Sequence, residues 1–208
     1  PPSFLDKGTF KTASKAKLTL LNATSLTGLG THPNIAEDIA LKRVFKTETR
    51  DGVIKCYPAA DEKIKILNEA KLMGWAVSLL HLAHSFINQF LKTAEISPPF
   101  QIPNLCFVHA GIAFAQKEID AIGSAHSSLR ASYILKELIQ STELPFQKYI
   151  HNSNAIPLQE PWEKGYNMGI FLCFVQHIQY QETAHQAYIS DFQGGKMLLT
   201  NPQVMTNP

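Results

Sequence analysis

The chain has 208 residues, which at about 150 residues per domain allows one large domain or two small lobes and excludes three domains. Its 45% hydrophobic, 10% aromatic and 17% charged residues supply enough apolar material for a core and too little charge for a disordered segment. With 19 Lys and Arg against 17 Asp and Glu the formal net charge is +2, which leaves no electrostatic footprint for nucleic acid or an anionic membrane.

No apolar run approaches the ~20 residues that a membrane-crossing helix needs. The first residues, Pro1 to Leu5, lack the basic and apolar regions of a secretory signal. Cys56, Cys106 and Cys173 are odd in number and widely spaced, with no C-x-x-C pair. Three buried thiols in a reducing, cytoplasmic compartment are therefore expected, and a disulfide framework is not. The triplet Asn22-Ala23-Thr24 fits a glycosylation sequon, but such triplets arise by chance and count only in secreted chains.

Residues 1–58 have the pattern of a strand-rich lobe. Phe10 to Leu21 alternates apolar and polar positions, and Ile39 to Phe45 is a short apolar run ended by charge. Gly28, Gly30, Pro33 and Asn34 mark a loop between them. From Asp61 to about Lys92 the period becomes helical through Ile64, Leu67, Met73 and Leu80, with Asp61 as N-cap and no proline before Pro98. The half from Met73 to Phe90 is apolar on most sides, which predicts burial between lobes or against another helix.

Beyond Ser97-Pro98-Pro99, the stretch Ile102 to Phe114 is β-like and broken by Pro103 and Gly111, so it can supply two strands. Ser127 to Ile139 fits a strand or a short helix. Ser141 to Trp162, punctuated by Pro145, Asn152, Asn154, Pro157 and Pro161, reads as a connector between lobes. Gly169 to Gln181 fits helix and strand equally well, and Gln186 to Phe192 is a short β-like run stopped by Gly194-Gly195. No internal repeat is present.

Four places could carry chemistry. Lys42, inside Ile39-Ala40-Leu41-Lys42-Arg43-Val44-Phe45, could aim its ammonium at a phosphate from the inner face of a sheet, although a solvated strand-edge lysine is the plainer reading. Gly8-Thr9-Phe10-Lys11-Thr12 could bring backbone N–H groups to a phosphate with Lys11 adding charge, yet it falls short of a G-x-x-x-x-G-K-[ST] loop. Asp191-Phe192-Gln193-Gly194-Gly195 places a carboxylate and a side-chain carbonyl, both hard oxygen donors suited to Mg²⁺, around what could also be an ordinary turn. Of the eight histidines, His81 and His84 share a helix face and His177 lies in the late apolar segment, where a metal role competes with simple amphipathic surface.

Taken in order, these pieces resemble the alpha-kinase family of atypical protein kinases. The similarity runs through Gly8 to Ala13 (GTFKTA), Ala40 to Phe45 (ALKRVF), Glu69 to Gly74 (EAKLMG), Phe146 to Asn154 (FQKYIHNSN), Phe174 to Tyr180 (FVQHIQY), Tyr188 to Gly195 (YISDFQGG) and Leu198 to Thr206 (LLTNPQVMT). The last block is the most specific, because His177, Asp191 and position 201 keep the family spacing. The signatures of ordinary protein kinases are absent, and DFQG shares only letters with D-F-G.

The resemblance implies an α+β, two-lobed, protein-kinase-like fold of the alpha-kinase type, with an N-lobe over about 1–135, a hinge at about 136–140 and a C-lobe over about 141–208. It implies an ATP- and Mg²⁺-dependent serine/threonine kinase. Lys42 would pair with the α/β-phosphates, Glu69 would orient that lysine, and Gly8, Thr9 and Lys11 would cover the phosphates. Lys11 stands where the family often has arginine, keeping the charge and losing the planar fork. Glu137 and Ile139 fall in the hinge segment expected to contact adenine. Asp191 and Gln193 match the Mg²⁺ ligands, and His177 matches the first ligand of the family's Zn²⁺.

Two departures bear on activity. The family's T-D-P-Q reads Thr200-Asn201-Pro202-Gln203, so the expected catalytic aspartate is an asparagine, which cannot take a proton from a substrate hydroxyl. The chain also stops before the family's Gly-rich substrate loop and the remaining zinc ligands, so a homo-oligomer interface could offset a missing zinc module. Expected partners are a nucleotide and a protein substrate or binding partner. The alternative is a pseudokinase, or a non-catalytic protein- or carbohydrate-binding protein, on the same scaffold.

Overall fold

A long central strand organises the first part of the chain. The structure, a computed structural model, describes residues 3–7, 11–22, 28–30, 32, 34–50, 52–98, 100–117, 128–139 and 145–207. Within them run β1 (Ser3–Lys7), β2 (Lys11–Leu18), β3 (Glu37–Arg50), β4 (Val53–Pro58), α1 (Glu62–Thr93), β5 (Cys106–Phe107), β6 (Ala110–Lys117) and β7 (Ser128–Glu137). There follow β8 (Gln147–Lys148), α2 (Tyr166–Glu182), β9 (Ala187–Ser190), β10 (Gln193–Gly194), β11 (Leu198–Thr200) and β12 (Gln203–Thr206).

The chain divides into two compact units that are not consecutive in sequence. The first comprises residues 1–70 and 109–138, the second residues 71–108 and 139–208. α1 thus gives residues 62–70 to the first unit and 71–93 to the second.

In the first unit a six-stranded sheet has the order β1-β2-β3-β7-β6, with β4 paired to the far half of β3. Fourteen residues long, β3 pairs with three strands, β2 along Glu37 to Val44, β7 along Ile39 to Lys42 and β4 along Phe45 to Arg50. Its alternation sends Ala40, Lys42 and Val44 to one face, where Val44 packs with Ala59, Ile66 and Ile134 in a small core. Of the stretch Ser127 to Ile139, open between strand and helix in the sequence, Ser128–Glu137 is strand β7, which closes the ladder between β3 and β6.

The second unit has a four-stranded sheet, β5-β11-β10-β8, and a separate β12-β9 pair. Its core joins Met73, Ala76, Leu80, Ala83 and Ile87 of α1 to Leu172, Val175 and Ile178 of α2 and to Ile189, Phe192 and Leu199. α1 starts where the sequence places it: Asp61 precedes the first helical residue and its C=O accepts the Lys65 amide at 3.1 Å, as an N-cap residue's does. Its second half joins α2 in that core, as the apolar pattern predicts of a helix packed on another, but along one stripe only. Trp75, Val77, Phe86 and Phe90 remain exposed, and only the stripe from Met73 to Ile87 is covered.

Gly169 to Gln181 is helix α2, and two buried glutamines explain why its apolar pattern was ambiguous. The Gln176 Nε2 donates to the Ile189 carbonyl at 2.7 Å, and the Ile189 amide donates to Gln179 Oε1 at 2.9 Å. One turn of α2 thereby satisfies the open side of β9, whose ladder partner is β12. The segment 145–162 is also more than a connector. Tyr149 and Ile150 are fully buried, and the backbone N–H groups of both donate hydrogen bonds to the Phe192 carbonyl.

The cysteines are free, and the expectation that all three are buried is corrected: Cys56 and Cys106 are exposed and Cys173 is half-buried. No helix among the described residues is long and apolar enough to cross a membrane.

Candidate functional site

In the first unit one carboxylate, that of Glu69, holds the sequence-predicted Lys11 together with Lys136. Three positions of α1 spaced by four and three residues, Glu62, Ile66 and Glu69, face alternate positions of β7. Glu62 Oε1 accepts the Ser132 amide at 2.9 Å while its Oε2 accepts from Arg43 Nε at 3.1 Å. The Arg43 guanidinium also lies 5.5 Å from the Tyr133 ring centroid. Ile66 meets Ile134 in the core. At the third position, Glu69 Oε1 accepts from Lys136 Nζ at 3.1 Å and Oε2 from Lys11 Nζ at 2.5 Å.

The sheet register explains this grouping. Lys11 pairs across β2–β3 with Val44, and Lys136 pairs across β7–β3 with Ala40. Lys42 sits between Ala40 and Val44 on the same face, so Lys11, Lys42 and Lys136 form a diagonal row over three neighbouring strands. Burial disfavours the charged Glu69 carboxylate, but the ammonium groups of Lys136 and Lys11 outweigh it and hold its pKa below the ordinary value. Burial pushes the Lys136 ammonium down from its ordinary value, against the pull of Glu69.

Lys136 is what sequence reasoning missed: read as part of the hinge, it is 1% exposed. The signal was available, since it lies two residues from Ile134 and therefore on the same face of the strand. Glu137, next in the chain, turns its carboxylate to His109, accepting from the amide at 3.2 Å and meeting Nδ1 at 3.1 Å. Ile139 is half-buried at the start of a second-unit segment. Gly8 and Thr9 lie outside the described residues.

In the second unit the Asp191, Gln193 and Asn201 positions come together through two antiparallel pairings. Ser190 pairs with Gln203 and Gln193 with Thr200, so Asp191-Phe192 and Asn201-Pro202 are the facing links between them. Both Asp191 (φ 58°) and Asn201 (φ 51°) take the left-handed conformation, which Asp and Asn tolerate better than other non-glycine residues. Such outliers persist where the surroundings over-determine them, and they cluster at functional sites. Buried Phe192 and Thr200 anchor the two links.

Gly194 cannot be replaced freely. A Cβ there would stand 2.1 Å from the Leu198 carbonyl oxygen, so the turn in DFQGG is a close backbone approach. Tyr149 secures the next residue, donating its hydroxyl to the Gly195 carbonyl at 2.7 Å. Gln193 is in register with Lys148 on its other side, and the Lys148 ammonium makes a close ion pair with Asp191.

A carboxylate and an amide carbonyl are hard oxygen donors of the kind Mg²⁺ takes, with phosphate and water completing its octahedron, once Lys148 leaves the Asp191 carboxylate. Zn²⁺ finds no such fit. His177 is exposed on α2, and among the described residues no three His, Cys, Asp or Glu side chains gather to hold a metal.

The comparisons with known proteins agree with this architecture. No curated protein matches the sequence. Among solved structures, the alpha-kinase domain of myosin-II heavy chain kinase A in complex with adenosine is similar at a TM-score of 0.51 and 15% identity, covering 99% of this chain and 71% of that one. The same kinase's domain with AMP gives 0.53 and 15%, covering 99% and 74%, and that with ADP gives 0.51 and 14%, covering 99% and 72%. At these identities the likeness is one of fold. The model of the Alpha-kinase family matches residues 6–208, and the chain belongs to that family.

Proposed function

We propose that this chain binds ATP with Mg²⁺ and carries a serine/threonine kinase site of the alpha-kinase type, with turnover limited by Asn201. The observation that carries the proposal is the sheet face on which Lys11 and Lys136 both bind Glu69 and Lys42 lies between them in register, a cation-rich face with one carboxylate in it. Phosphoryl transfer needs chiefly positioning and charge neutralisation, and lysines supply the latter as point charges. The adenosine, AMP and ADP complexes of a domain with the same fold support a nucleotide as the ligand.

Each residue then has a part. Lys42 and Lys11 neutralise phosphate oxygens, Glu69 orders Lys11, and Glu137 with Ile139 contacts adenine. Asp191 and Gln193 would hold Mg²⁺, which when bound neutralises the charge that develops on the phosphates. Lys148, ion-paired with Asp191, must release it for this. Asn201 can orient a substrate hydroxyl through Oδ1, toward which Thr200 Oγ1 lies at 3.5 Å, but it has no base to accept the proton.

The test is thermal unfolding with and without MgATP. A ligand at 100 times its Kd stabilises the fold by about 2.7 kcal/mol, a shift of a few degrees for a chain of this size. The midpoint should rise with MgATP, and EDTA should remove part of the rise. No shift with MgATP, ADP or adenosine would contradict the proposal.

Asn201 also favours a pseudokinase that retains the nucleotide without turning it over. The two differ in whether the chain transfers any label from MgATP.

A further inference from the structure

The family resemblance gives Lys136 only a place in the hinge segment, yet it is the most deeply buried cation among the described residues, at 1% exposure. It stands on β7, between β3 and β6. A buried ion pair is a weak source of stability, because desolvating two charges cancels most of their attraction, and apolar residues of similar volume often serve a core as well or better. The small core beside it is made of such residues, Val44, Ile66 and Ile134. A lysine at this place calls for a role that a hydrophobe cannot fill.

The geometry points to one. Glu69 gives one oxygen to each lysine, Oε1 to Lys136 and Oε2 to Lys11. The strands that carry these lysines are not neighbours, since β3 lies between them, so the carboxylate spans the sheet over the strand of Lys42. The Lys11 side chain keeps 32% of its surface exposed, against 1% for Lys136.

We infer that Lys136 is a positioning residue for phosphate recognition. From the buried side it occupies one oxygen of Glu69 and fixes the carboxylate plane, so that Lys11 is held by the other oxygen alone and keeps N–H donors for an anion. Without Lys136 the Glu69 side chain regains its rotamers, and both oxygens are open to Lys11. This role rests on the nucleotide proposal above.

The test is calorimetric titration of the full chain and its Lys136→Met and Lys136→Arg variants with MgATP and with adenosine, which has no phosphate. Lys136→Met should weaken MgATP about tenfold, the order of one charge-assisted hydrogen bond, and leave adenosine within about twofold. Lys136→Arg should recover most of the MgATP affinity. In a Lys11→Met background, Lys136→Met should add no further loss.

Equal losses for both ligands would mark Lys136 as merely structural and overturn the inference, as would no loss for either. A parent chain that binds neither ligand would overturn the nucleotide proposal itself and this role with it. Should Lys136→Met fail to fold, Glu69→Gln makes the same test from the helix side. It should weaken MgATP and spare adenosine, and unchanged MgATP affinity there would overturn the inference.

Discussion

The Glu69 carboxylate on α1 accepts a hydrogen bond from the buried Lys136 ammonium on β7 at 3.1 Å. Two turns earlier on the same helix, Glu62 accepts the Ser132 amide of the same strand. Helix and strand are thus joined at both ends of a short apolar contact, Ile66 on Ile134, by carboxylates that also bind Arg43 and Lys11.

Removing the Glu69 carboxylate should destabilise the fold by about 3 kcal/mol in the Glu69→Leu variant, because a buried cation loses its carboxylate partner. A pH dependence follows with a definite sign. The folded pKa of Glu69 lies below its ordinary 4.5, so its contribution is complete above about that pH and is lost as pH falls through the lower folded value. Urea midpoints measured between pH 3 and 7 should fall on the acid side, and Glu69→Gln should remove this component.

Gln179→Leu should cost about 1–3 kcal/mol, although it makes α2 more apolar. The Ile189 amide would be left buried without its acceptor, and Ile189 is fully buried. A denaturation midpoint equal to that of the parent would contradict this account of how β9 is held.

Tyr149→Phe should cost about 1 kcal/mol by leaving the Gly195 carbonyl without its donor. Gly194→Ala should cost more, roughly 2–4 kcal/mol, since its Cβ would meet backbone at 2.1 Å and the turn has to move. Both substitutions lie beside Gln193, so thermal unfolding in the presence of MgATP should show a smaller ligand shift for Gly194→Ala than for Tyr149→Phe.

Much of the candidate site was legible because short motifs survive where the backbone is constrained. Tyr188 to Gly195 and Leu198 to Thr206 are such segments, and the structure pairs them so that Asp191, Gln193 and Asn201 fall together. Lys136 was harder to place, because it falls in the expected hinge segment and its burial follows only from the strand register. Only the pairing with Ala40 and the passage of α1 across that face bury it.

Periodicity failed for α2 for another reason. Gln176 and Gln179 interrupt an apolar helix at buried positions, and their purpose is visible only once β9 lies alongside. The Pro- and Asn-rich stretch after Pro145 has the composition of a loop, yet Tyr149 and Ile150 are core residues because Phe192 offers them its carbonyl. Composition records the turns and is silent on the anchor.

The most direct measurement compares the chain with its Asn201→Asp variant for transfer of labelled phosphate from MgATP to a generic basic protein and to itself. Restoring a general base should raise the rate by about 10² to 10⁴-fold, because the carboxylate can accept the proton that Asn201 cannot. Equal rates for the two chains would contradict the limiting role given to position 201, and no transfer from either although MgATP binds would contradict the kinase site.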